Sequence, residues 1–89
     1  MERLTRQDGA GWTVPPEQWD AAVARLAAFE DVWEELGAAL EGVPGELAAL
    51  KAAGREKTVR YRELIGAKLW LAETAAMFAR HGLPVPPRP

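Results

Sequence analysis

The chain has 89 residues, 11 basic and 13 acidic, a net charge of −2, and no cysteine, serine or asparagine. A single domain of this size buries a smaller share of its surface than a large one, so its stability is modest and a partner or dimer mate would add to it. Without cysteine or serine there is no disulfide, thiolate or serine nucleophile, and a lone histidine, His81, cannot anchor a multi-histidine metal site; a non-enzymatic chain without cofactor is expected.

Charge is divided along the chain. Residues 17 to 46 hold eight acids and one base, Arg25, whereas residues 47 to 89 hold eight bases and three acids. Such a split means that the two halves face each other or face different partners. No run approaches the ~18 apolar residues of a membrane span, and the N-terminus has early acids and no apolar core of signal length, which predicts a cytoplasmic chain without membrane contact.

Residues 1–14 alternate weakly around Asp8-Gly9-Ala10-Gly11, and Leu4-Thr5-Arg6 with Trp12-Thr13-Val14 read as two short strands of a hairpin or as an extended segment. Pro15-Pro16 then opens a helix, because proline suits the first turn and Glu17 and Asp20 lie where the macrodipole favours acids. From Trp19 to Leu40 two seven-residue series interleave: Trp19, Leu26, Trp33, Leu40 and Ala22, Phe29, Leu36. They form one apolar seam, with Glu17, Asp20, Glu30, Asp31, Glu34, Glu35 and Glu41 on the other side.

Gly42-Val43-Pro44-Gly45 is the expected stop, since proline alone costs about 3 kcal/mol inside a helix. The heptad nevertheless continues through Val43, Leu47 and Leu50. Either Pro44 kinks one long helix or a short second helix from 44 to 53 follows a tight turn; the second reading is preferred, since Pro44 suits a first turn and Gly54 an exit. Residues 55–62 then carry four bases and one acid. If Thr58 capped the last helix, Arg60 and Arg62 would oppose the dipole by about 0.3 to 1 kcal/mol each. Two escapes follow: Thr58 to Tyr61 is extended and the helix starts near Arg62, or an anion from a partner or from the acidic helix sits at this end.

A last helix is predicted to end at Gly82 and Pro84, with Leu64, Leu71, Ala75 and Phe78 on its main face, Lys68 inside that face and Trp70, Met77 and Gly66 on a second ridge. His81 falls in its last turn, where a partial positive charge is welcome. The proline-rich segment 83–89 is expected to be a flexible tail. The fold class is therefore mainly α: a small helical hairpin or three-helix bundle, long helices near 16–41 and 62–81, a helical domain over 15–82, and an N-terminal extended segment or short β-hairpin over 1–14. The predicted core is Trp19, Leu26, Phe29, Trp33, Leu36, Leu40, Leu47, Leu50, Leu64, Leu71, Ala75 and Phe78.

MERLTRQDGAGW at the N-terminus, followed by Arg25-Leu26-Ala27-Ala28-Phe29-Glu30-Asp31, resembles a group of small proteins encoded by phages and prophages of Gram-positive bacteria. These typically begin Met-Glu-Arg/Lys-Leu-Thr-x-Arg and carry an Arg-Leu-Ala-x-Tyr/Phe-Glu-Asp segment one short element later. The resemblance covers roughly residues 1 to 36 and implies a phage or prophage setting but no activity. Small proteins in that setting often inhibit host defences, the anti-CRISPR kind among them.

Three uses of the surface are open. The acidic face, Asp20, Glu30, Asp31, Glu34, Glu35 and Glu41, is either a solvated face partly neutralised by the basic stretch or a docking surface for a basic host or phage protein. Arg55, Lys57, Arg60, Tyr61 and Arg62 could contact an anion or nucleic acid, although the patch is short for a nucleic-acid reader. Gly66, Trp70 and Met77 are either core contacts for the N-terminal segment or a self-association ridge of a homodimer. Lys68 either snorkels to the edge of its face or pairs with Glu30 or Glu34.

Overall fold

The computed structural model describes residues 1–84. In chain order it contains strand β1 (Arg6–Asp8), strand β2 (Gly11–Thr13), a 3₁₀ turn (Pro16–Gln18), helix α1 (Trp19–Ala52) and helix α2 (Val59–Arg80). Two compact units divide the chain, Met1–Asp31 and Val32–Pro89. No helix among the described residues is long and apolar enough to cross a membrane. The proline-rich tail from residue 85 onward lies outside the described residues.

In the first unit β1 and β2 pair antiparallel, Arg6 with Thr13, Gln7 with Trp12 and Asp8 with Gly11. The expected hairpin is present, but its ladder sits closer to the turn than Leu4-Thr5-Arg6 and Trp12-Thr13-Val14. The two-residue connection Gly9-Ala10 sets this register, because pairing starts at the residues that flank the turn. The Arg3 guanidinium lies 4.5 Å from the centroid of the Trp12 ring. At the start of α1 the Trp19 indole N–H donates to the Val14 carbonyl at 2.8 Å, and the Arg25 guanidinium donates to the Glu2 carbonyl.

In the second unit Val32–Ala52 of α1 and α2 form an antiparallel hairpin. Its bend is marked by the Arg60 to Glu46 ion pair at 2.9 Å. Its open end is marked by the Trp33 indole N–H, which donates to the Pro84 carbonyl at 2.7 Å. Among the described residues the buried apolar ones are Leu36 and Leu47 from α1 and Leu64 and Leu71 from α2. Trp33, Leu40, Val43 and Leu50 on α1 are half-buried, as are Tyr61, Ala67, Thr74, Ala75 and Phe78 on α2. On α1 these positions alternate by three and four residues, the spacing of a two-helix seam.

Both helices end in the same way. After α1 the Gly54 N–H bonds the Lys51 carbonyl at 3.0 Å and the Arg55 N–H bonds the Leu50 carbonyl at 2.8 Å; after α2 Gly82 and Leu83 repeat this with Ala79 and Phe78, both at 3.0 Å. The pattern is a Schellman motif and needs a left-handed residue just past the helix, which glycine adopts without a Cβ clash; φ is 71° at Gly54 and 77° at Gly82. His81 is the C-cap of α2.

Three expectations are corrected. Pro44 neither stops α1 nor separates a short helix over 44–53; α1 runs unbroken to Ala52 with Pro44 inside it. The lost backbone bond and the ring clash act on an exposed part of the helix, while Leu40, Val43, Leu47 and Leu50 keep the seam continuous past it. Helix α2 starts at Val59, not near Arg62. Finally, Trp19, Leu26 and Phe29 are not core: they are 59%, 60% and 52% exposed. They belong to the first unit, where Trp19 meets the N-terminal chain through the Val14 carbonyl and Leu26 and Phe29 face it across an open cleft of about 430 Å³.

Two outcomes follow. Leu71→Ala should cost about 2 to 5 kcal/mol in urea unfolding, whereas Leu26→Ala should cost well under that because it opens no cavity. Pro44→Ala should raise the unfolding free energy by about 1 to 3 kcal/mol, since it restores a helical bond at a position where the ring packs on nothing buried. A fall in stability would show that the proline is structurally required.

Candidate functional site

Of the acids read as one face, α1 carries all but Glu17, which lies in the 3₁₀ turn before it. Asp20, Glu30, Asp31, Glu34, Glu35 and Glu41 are all exposed. Glu30 and Glu34, and Asp31 and Glu35, stand four residues apart, so each pair brings two like charges onto neighbouring turns and costs about 0.2 to 0.5 kcal/mol. Among the described residues the ion pairs involve Glu46 and Glu63, both with Arg60, and none of these six.

The basic stretch surrounds the bend of the second unit. Arg55 and Lys57 lie in the connection between α1 and α2, and Arg60, Tyr61 and Arg62 lie in the first turn of α2. Thr58 is the N-cap: its hydroxyl oxygen accepts from the Tyr61 N–H at 3.2 Å, and its hydroxyl donates to the Arg55 carbonyl at 2.8 Å. This placement puts Arg60 at the positive end of the helix dipole, and the acidic helix supplies the anion that offsets it. The guanidinium meets the Glu46 carboxylate at 2.9 Å and lies 3.9 Å from Glu63. Both Arg60 and Glu46 are more than half exposed, so the pair is worth at most about 1 kcal/mol. With Arg60 engaged and Tyr61 half-buried in the seam, the stretch presents Arg55, Lys57 and Arg62 outward and no free aromatic for base stacking.

Lys68 is exposed rather than set in the seam, because the α2 face that packs uses Ala67 on one side of it and Leu71 on the other. Among the described residues it makes no ion pair. On α2 the ridge residues are also outward: Trp70 is 63% and Met77 48% exposed, and Gly66 is exposed. Sequence reading missed the Trp33 indole as an anchor. Its partner, the Pro84 carbonyl, is positioned by the turn after Gly82, and no periodicity signals that.

Among the described residues no three His, Asp or Glu side chains converge as a metal cage. The geometry offers instead an acidic helix surface on α1 and two exposed apolar sets, Trp19, Leu26 and Phe29 on α1 and the Trp70–Met77 ridge on α2. No protein family matches the chain, and neither a curated protein nor a solved structure is detectably similar to it.

The cap has its own test. Thr58→Ala should lower stability by about 1 kcal/mol through the unsatisfied Tyr61 N–H, and Thr58→Asp should retain most of it. Equal loss in both variants, measured by thermal unfolding, would remove the cap from the account.

Proposed function

We propose that this chain is a non-enzymatic protein-binding module whose acidic α1 face docks on a basic protein surface. The observation that carries the reading is the exposed cluster Glu30, Asp31, Glu34 and Glu35, without an ion pair among the described residues, with Asp20 and Glu41 along the same helix. Like charges at helical neighbours destabilise the free helix, and a cationic partner turns that repulsion into attraction and speeds encounter. A residue set lacking serine, cysteine and asparagine favours binding over catalysis. The N-terminal resemblance suggests a phage or prophage protein acting in the cytoplasm of a bacterial host. There the partner would be a host protein with a phosphate-binding surface, a defence nuclease of the kind anti-CRISPR proteins block being one case.

The test pairs two variants of equal net charge. In the first, Glu30, Glu34 and Glu35 become lysine; in the second, Glu2, Asp8 and Glu56 do. A partner captured stoichiometrically from a host lysate at low salt should be lost with the first variant, kept with the second, and released from the unaltered protein as salt rises. Capture that survives high salt, or that both variants retain, would refute the electrostatic docking.

A further inference from the structure

Helix α2 carries more apolar surface than its buried seam uses, Ile65 and Leu69 among it. Val59, Gly66, Trp70 and Met77 follow one another at intervals of seven, four and seven residues, on a line about a third of a turn from the Leu64 and Leu71 line. Val59 is 69% exposed, Trp70 63% and Met77 48%. Gly66 is also exposed, and a Cβ built there meets nothing within 4 Å. No contact within the chain requires this glycine, although in mid-helix it costs about 0.5 to 1 kcal/mol relative to alanine.

We infer that α2 pairs antiparallel with α2 of a second copy of this chain, each Trp70 indole lying on the bare backbone at Gly66 of the other. The spacing is self-complementary. A twofold axis at the level of residue 68 exchanges Gly66 with Trp70, and the same axis exchanges Val59 with Met77. A large side chain thus meets the smallest residue at the centre, and the two outer apolar residues meet each other, as an isologous interface requires.

Charge supports the same register. An antiparallel pair brings like flanks together, and Arg62 and Glu73 share one flank of the ridge, so each Arg62 lies nearly level with Glu73 of the other copy. The opposite flank places Glu63, beside its own Arg60 at 3.9 Å, level with the uncharged Thr74 of the second copy. Partner-helix docking by an unrelated protein would have no reason to show this symmetry. The inference is independent of the acidic α1 face, because it uses only α2.

Sedimentation equilibrium of the full chain over a concentration series tests it, with circular dichroism of every variant. A monomer–dimer equilibrium is expected. Trp70→Ala and Gly66→Leu should each weaken it about tenfold or more. Gly66→Leu should keep or raise the helical signal, so its effect on the dimer would not reflect unfolding. Arg62→Glu and Glu73→Arg should each weaken the dimer, and the double exchange should restore it. A monomer at every concentration, a dimer unmoved by Trp70→Ala and Gly66→Leu, or a double exchange that fails to restore association would each overturn the proposal.

Discussion

A two-helix hairpin can bury only one face of each helix, and the second unit spends that face on four leucines. Leu36, Leu47, Leu64 and Leu71 fall below a tenth of their full exposure, and none of the described side chains is completely enclosed. Each such leucine contributes about 1.5 to 3 kcal/mol of transfer free energy, set against the ordering of two long helices. The seam must therefore be continuous to succeed, and the fixed points at its two ends, Trp33 on Pro84 and Arg60 on Glu46, hold its register rather than add much energy of their own.

That dependence explains why two local signals fail in opposite ways. At Pro44 the backbone rule predicts a stop, but a break there would uncouple Leu36 and Leu40 from Leu47 and Leu50. Loss of the contacts on one side of the seam outweighs one missing hydrogen bond. At Arg60 the dipole rule predicts a later helix start. Starting at Val59 brings Tyr61 and Leu64 onto the seam and lets Thr58 cap, and Glu46 removes much of the electrostatic objection. Local preference is a small term in both places, and tertiary packing reverses it.

The same reasoning separates what could be read from residues alone. The heptad over Trp33 to Leu50 was legible, including its persistence past Gly42 and Pro44, because burial follows the spacing. The hairpin was legible from Asp8-Gly9-Ala10-Gly11, though the exact ladder required the turn geometry. Trp19, Leu26 and Phe29 obey the same spacing and yet are exposed. Periodicity reports which side of a helix is apolar and carries no information on whether chain is present to cover it. The acidic face was equally visible as a pattern; its lack of ion pairs was not, because pairing depends on where Arg60 spends its charge.

The division of charge along the chain acquires a physical meaning from this arrangement. Within the second unit, ion pairs from the basic stretch to Glu34 and Glu35 would have cancelled part of the surplus. Instead one arginine bridges to α1, at Glu46, close to the bend, and the remaining acids of α1 keep their field. A protein with a small core gains little by leaving like charges unpaired and large apolar side chains in water. Trp70 and Met77 on α2 and the Glu30 to Glu35 cluster on α1 impose costs of these two different kinds, on two different helices. Each cost is offset only by a surface of matching chemistry: a cationic one for α1, and for α2 an apolar one whose spacing the helix itself already supplies.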